Sequence, residues 1–196
     1  MQSYHSLVFD FPEALLFWVV YLWVFSAEFL LLRRSLRSPS QAQDGGTLRL
    51  IVIGNNVAVF LGFAASFAPT FIMPWPQISF IFGTFLLFVG GVLRQICFRA
   101  LGKYFTGNVV VTSDQMVVER GPYRFIRHPS YTGGFMVFIG TGFALGNWLS
   151  VALLFAGPCF VYYWRVRAEE KALLETIGEP YRAYMTRTKR FIPFVV

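Results

Sequence analysis

Apolar residues run along this chain in long blocks, broken by short polar stretches, and the block lengths predict helices of membrane-spanning size. Residues 13–32 ("EALLFWVVYLWVFSAEFLLL") and 48–68 each approach the ~20 residues needed to cross a bilayer. Residues 78–101 form a third such block, although its last turns carry Arg94 and Arg99. A fourth block, 130–164, is too long for one span and breaks at the turn dipeptide Gly146-Asn147, which predicts a tight helical hairpin. The expectation is an all-α integral membrane protein with five transmembrane helices, the last two paired as that hairpin. A first unit, 1–77, would supply two anchor helices, and a second, 78–196, the third span, the hairpin and the cytoplasmic segments.

Composition agrees with a lipid environment. Hydrophobic residues make up 56% of the 196 positions and charged residues 14%, too little charge to solvate the surface of a soluble bundle. The basic residues test the span count. Arg33, Arg34, Arg37 and Arg49 lie in 33–49, at and before the start of the second block. Arg94, Arg99, Lys103, Arg120, Arg124 and Arg127 lie in 94–132, from the last turns of the third block onward, and the other seven lie at or beyond Arg165. Five spans put all 17 Lys and Arg on one side, so the positive-inside rule places the amino terminus outside and the carboxyl terminus in the cytoplasm. The net charge of +7 is then topology together with attraction to anionic membrane lipid, and calls for no nucleic acid. The start has no basic n-region and reads as an anchor, not a cleavable leader. Cys97 and Cys159 fall in predicted spans as small apolar residues, and no Cys/His cluster has metal-ligand spacing, so no metal is expected.

Chemistry concentrates in 102–132 and 165–193. The stretch "GPYRFIRHPSYTGG" (121–134) packs Arg124, Arg127, His128, two tyrosines and two prolines against the start of an apolar block. Such groups cannot face lipid unpaired. Pro129 suits the first turn of a helix, where His128 and free backbone N–H groups could hold an anion. Gly133 and Gly134 would allow close helix approach. The fifth span should continue out of the bilayer and stop near Gly178-Glu179-Pro180, with a further amphipathic turn carrying Tyr181 and Tyr184 as packing residues. Arg165 and Glu169, at i and i+4, share a helix face. Glu170 points about 100° away and is expected to pair with Arg167. Glu28, inside the first span near its cytoplasmic end, should snorkel or pair with an arginine.

The ordered constellation "RHPSYTGG", a hydrophobic hairpin, "RAEEKALLETIGEPYRAY" and "RFIP" resembles the isoprenylcysteine carboxyl methyltransferases and their prokaryotic relatives over roughly residues 80–194. Integral-membrane phospholipid N-methyltransferases share a looser version. The resemblance implies S-adenosylmethionine bound on the cytoplasmic side, lined by Gln115, Met116, Val117, Val118, Tyr123, His128, Pro129, Ser130 and Tyr131. It implies a lipophilic or lipid-anchored methyl acceptor, met by Arg165 with Glu169 working beside it. A glutamine that often touches the cofactor in the family is replaced near "FTGNVVV" by Asn108 or Val111. Carboxyl O-methylation of a prenylcysteine-like substrate is the leading expectation. Phospholipid N-methylation, with Glu169 as base, and a non-catalytic membrane scaffold of the same fold are the alternatives. The short length resembles prokaryotic members and suggests a prokaryotic cell membrane.

Overall fold

A computed structural model describes residues 6–37, 46–104 and 116–192. Six α-helices carry these segments: α1 Glu13–Arg37, α2 Thr47–Ala65, α3 Pro76–Leu101, α4 Pro129–Ala144, α5 Trp148–Ile177 and α6 Glu179–Arg187. No strand is present among the described residues, only two isolated bridges, Ile72 with Asn147 and Ile126 with Lys189.

The boundaries follow local chemistry. Proline occupies the first turn of α3, α4 and α6, where it forfeits no hydrogen bond. Asn147 caps α5 by accepting from the Leu149 and Ser150 N–H groups at 2.9 and 3.2 Å. Gly178 ends α5 with a φ of +70°, a conformation that side chains with a Cβ rarely adopt. The chain turns from α4 to α5 through Leu145–Asn147, where the sequence breaks its apolar block.

Packing runs α1 on α3, α3 on α4, α4 on α5 and α5 on α2, and the aromatic rings of Phe17, Trp18 and Tyr21 on α1 meet Phe63 of α2. Contact between α3 and α4 is backbone-close because glycines face it from both sides. A Cβ on Gly90 would lie 2.7 Å from the Gly133 carbonyl oxygen, and one on Gly140 would lie 2.5 Å from the Leu87 nitrogen. Small residues at such spacing are how apolar helices gain van der Waals contact where burial from water offers no drive.

Leu87, Val137, Leu154 and Val161 fill the interior, while Leu15, Val19, Phe60, Ile78, Ile81, Phe85 and Phe160 point outward. So many exposed large apolar side chains suit lipid, not water. Four segments, Glu13–Leu30, Thr47–Ala65, Pro76–Leu101 and Trp148–Ile177, are long and apolar enough to cross a membrane. At 16 residues α4 is shorter than these, and its glycines bury it among its neighbours.

Candidate functional site at the start of α4

Pro129 sets α4 going directly after His128, so the polar motif becomes the entry to a buried helix. Around it the structure gathers side chains from far along the chain. The first centre is Glu170, which is 4% exposed. Its Oε1 accepts from Arg127 Nε at 3.0 Å and stands 3.2 Å from His128 Nε2. Its Oε2 accepts from Arg190 Nη2 at 2.7 Å. A carboxylate only accepts, so His128 carries its proton on Nε2, and Nδ1 is the ring nitrogen not engaged by Glu170. The expected Glu170–Arg167 pair does not form. The Arg167 guanidinium instead lies 4.2 Å over the Tyr163 ring one turn back, while Glu170 faces inward to Arg127 and Arg190.

Arg127 also ties the motif to the chain's last described segment. Its Nη1 donates to the carbonyls of Met185 and Thr188. The Arg127 and His128 N–H groups donate to the Lys189 and Arg190 carbonyls at 2.7 and 2.9 Å, and Thr132 Oγ1 to the Phe191 carbonyl at 2.8 Å. Residues 188–191 thus lie along 127–132 as a strap. Burial pushes the Tyr184 phenol up to about 12, so it stays protonated and donates to the Tyr123 and Ile126 carbonyls at 2.5 and 3.3 Å. The packing role expected of Tyr181 and Tyr184 agrees with their burial.

The second centre is Tyr131. Its hydroxyl donates to Glu169 Oε2 at 2.9 Å and accepts from Arg165 Nε at 3.4 Å. Arg165 is 4% exposed, and its Nη1 donates to Thr47 Oγ1 at the start of α2, 3.0 Å away. Tyr131 therefore bridges the two residues whose helical spacing put them on one face. Burial, with Cys97 and Glu169 nearby, raises the Tyr123 phenol above its ordinary value, so this ring too is neutral and polar.

Of the residues singled out from sequence, Tyr123, His128, Pro129, Ser130, Tyr131, Arg165 and Glu169 converge on this end of the bundle. Val117 and Val118 are half-buried in irregular chain leading to the 3-10 turn Gly121–Arg124, and Met116 is exposed. Gln115, Asn108 and Val111 lie outside the described residues. Residues that the sequence did not mark are Glu170 as a hub and Arg190 as its partner. A glutamate next to Glu169 but on a different face, with spare arginines on both sides, was the available signal.

A bundle of outward-greasy helices with buried charges gathered where α4 begins defines an integral membrane protein with a polar site at one end. Residues 82–175 match the model of the isoprenylcysteine carboxyl methyltransferase (ICMT) family, so this stretch of the chain is similar to that family. It is 34% identical to the protein-S-isoprenylcysteine O-methyltransferase of Saccharomyces cerevisiae over 118 residues, covering 59% of this chain and 49% of the relative. A probable protein-S-isoprenylcysteine O-methyltransferase of Oryza sativa aligns over 184 residues at 23% identity, covering 88% of this chain and 96% of the relative. The solved structure of a eukaryotic intramembrane Ras methyltransferase, ICMT, superimposes with a TM-score of 0.63 at 25% identity, covering 97% of this chain and 72% of that one. The chain spans about half the length of the first curated relatives it matches. These relatives are from yeast and plant, and they lend no support to a prokaryotic membrane.

Proposed function

We propose that the protein transfers a methyl group from S-adenosylmethionine to the carboxylate of a lipophilic acceptor, most naturally a prenylcysteine. The observation that carries this reading is Arg165: a buried guanidinium, held by Tyr131 of the "RHPSY" motif and by Thr47. The relatives' names point to the same acceptor. We further propose that α4, short but enclosed by α3 and α5, completes five spans, with the site on the cytoplasmic side.

The donor set fits the cofactor. His128 Nδ1 and the Ser130 N–H at the start of α4 suit an amino-acid headgroup, the Tyr123 and Tyr131 rings suit a cation, and Met116–Val118 lie outside any helix, where their backbone would meet the adenine. Gln115 belongs to the same proposed strip. When bound, S-adenosylmethionine supplies an electrophilic methyl group on a sulfonium. The protein's own part is positional. A carboxylate is ionised at pH 7 and needs no general base. Arg165 holds it, Glu169 and Tyr131 fix the guanidinium, and the surrounding apolar helices exclude water, so proximity and desolvation supply the acceleration.

The test is methyl transfer from radiolabelled S-adenosylmethionine to a prenylcysteine analogue in detergent or liposomes. Base-labile label marks a methyl ester and supports the reading. Base-stable label on phosphatidylethanolamine marks N-methylation and overturns it, and absence of cofactor binding supports the scaffold alternative.

A further inference from the structure

Glu28 of α1 and Arg94 of α3, each within a segment long and apolar enough to cross a membrane, form an ion pair, Nε to Oε1 2.5 Å, with side chains only 28% and 15% exposed. Ionised groups within a span are costly and mark function when they are retained. Arg94 does more than meet Glu28. Its Nη1 donates at 2.9 Å to the Ser130 carbonyl in the first turn of α4. Its guanidinium also lies 5.2 Å over the Phe98 ring. The motif's paired glycines make way for it. A Cβ on Gly133 would lie 2.8 Å from Arg94 Cγ, and one on Gly134 would lie 2.5 Å from the Tyr162 hydroxyl and 3.0 Å from Arg94 Nη1. Ser130 precedes Tyr131, the bridge between Arg165 and Glu169. Glu28 lies outside the region 82–175 that defines the family match.

We propose that the Glu28–Arg94 pair positions the first turn of α4, and through it the Tyr131 hydroxyl, so that α1 serves the reaction site and not only anchorage. Glu28 fixes the guanidinium plane and neutralises it, and the fork then presents Nη1 to one backbone carbonyl. Both are positioning residues. Neither is placed in contact with substrate. Lysine cannot replace the arginine, because one ammonium lacks the rigid two-point geometry that spans Glu28 and Ser130. The kinetic side of the proposal rests on the methyl-transfer reading; the geometric side does not.

Two variants separate positioning from stability. Exchanging a buried ion pair for apolar residues is often neutral or stabilising, so Glu28→Leu/Arg94→Leu should fold in detergent. Arg94→Lys retains the charge opposite Glu28 if the double variant does not fold. Fluorotyrosine incorporation reports Tyr131 by 19F NMR without cofactor, with assignment by Tyr131→Phe and the exposed Tyr163 as an internal control. The Tyr131 line should shift or broaden in each folded variant while that of Tyr163 stays put. Because the same first turn carries His128 and the Ser130 N–H proposed for the cofactor, titration with S-adenosylhomocysteine should show affinity lowered about tenfold or more. An unmoved Tyr131 line, or parental affinity in a folded variant, overturns the proposal. A parent that binds no cofactor instead overturns the methyl-transfer reading, and the Tyr131 line alone then decides this one.

Discussion

His128 Nε2 and Glu170 Oε1 stand 3.2 Å apart with both residues almost fully buried. The contact ties the start of α4 to the part of α5 beyond Arg165. It also fixes which imidazole nitrogen can face a ligand. Because Arg127 and Arg190 share the same carboxylate, losing the histidine leaves Glu170 still paired. His128→Ala should therefore keep the folded yield in detergent while weakening S-adenosylmethionine binding. Loss of one charge-assisted hydrogen bond corresponds to ~10- to 150-fold in affinity, measured by calorimetric titration. Unchanged affinity in the folded variant would remove His128 from the cofactor site.

Glu170 itself should behave in the opposite way. Glu170→Ala leaves Arg127, whose side chain is 9% exposed, without its carboxylate and removes the ion pair that ties Arg190 of the strap to α5. Removing one partner of a buried pair costs on the order of 3 kcal/mol, so thermal unfolding in detergent should shift clearly downward. A melting temperature equal to that of the parent would mean the hub contributes little.

The contact between α3 and α4 makes a separate stability prediction. Gly140→Ala places a methyl group 2.5 Å from the Leu87 nitrogen, which is backbone and cannot swing aside. Overpacking of this kind costs ~1–3 kcal/mol. Lower thermal stability is expected even though Ala is the better helix former. A stabilised variant would show that the two helices are less closely packed.

Topology can be read by chemical labelling. Gln77, at the start of α3, and Glu179, at the start of α6, should lie on opposite sides if α3, α4 and α5 all cross. Single cysteines at these positions should label from opposite faces of sealed vesicles. Labelling from the same face would mean that α4 does not span.

Local signals were legible in the sequence wherever neighbours along the chain decide the outcome. Gly178 ends α5, Gly146-Asn147 separates α4 from α5, and Pro129 opens α4, each because φ or a missing N–H leaves few options. Arg165 and Glu169 were placed on one face by helical period alone. Glu170 was not legible in the same way. Its partners are His128 and Arg127, more than forty residues earlier, and Arg190, twenty residues later. Periodicity says which way a side chain points but not what the fold brings to meet it. Arg167, the expected partner, found the Tyr163 face four residues back instead. Glu28 was expected to snorkel or to pair with an arginine, and only the packing of α1 on α3 selects pairing with Arg94.

Tyr131→Phe should show how far the bridge between Arg165 and Glu169 matters for turnover as distinct from binding. The ring stays, so its face remains for the cofactor, but the hydroxyl linking the two charged groups is lost. kcat should fall ~10-fold or more with cofactor affinity largely retained. An equal loss in both would assign the hydroxyl to cofactor binding.

The most direct measurement compares Arg165→Ala with Glu169→Gln for base-labile methyl transfer to a prenylcysteine analogue, with cofactor affinity determined beside turnover so that lost binding is not mistaken for lost chemistry. If Arg165 is the counter-ion of an acceptor carboxylate, its removal should lower kcat/KM more than Glu169→Gln, which keeps the shape and one acceptor oxygen. If an amine were the acceptor, neutralising the base would cost ~10²- to 10⁴-fold and the order would reverse. Transfer that survives Arg165→Ala and vanishes in Glu169→Gln would contradict carboxylate methylation.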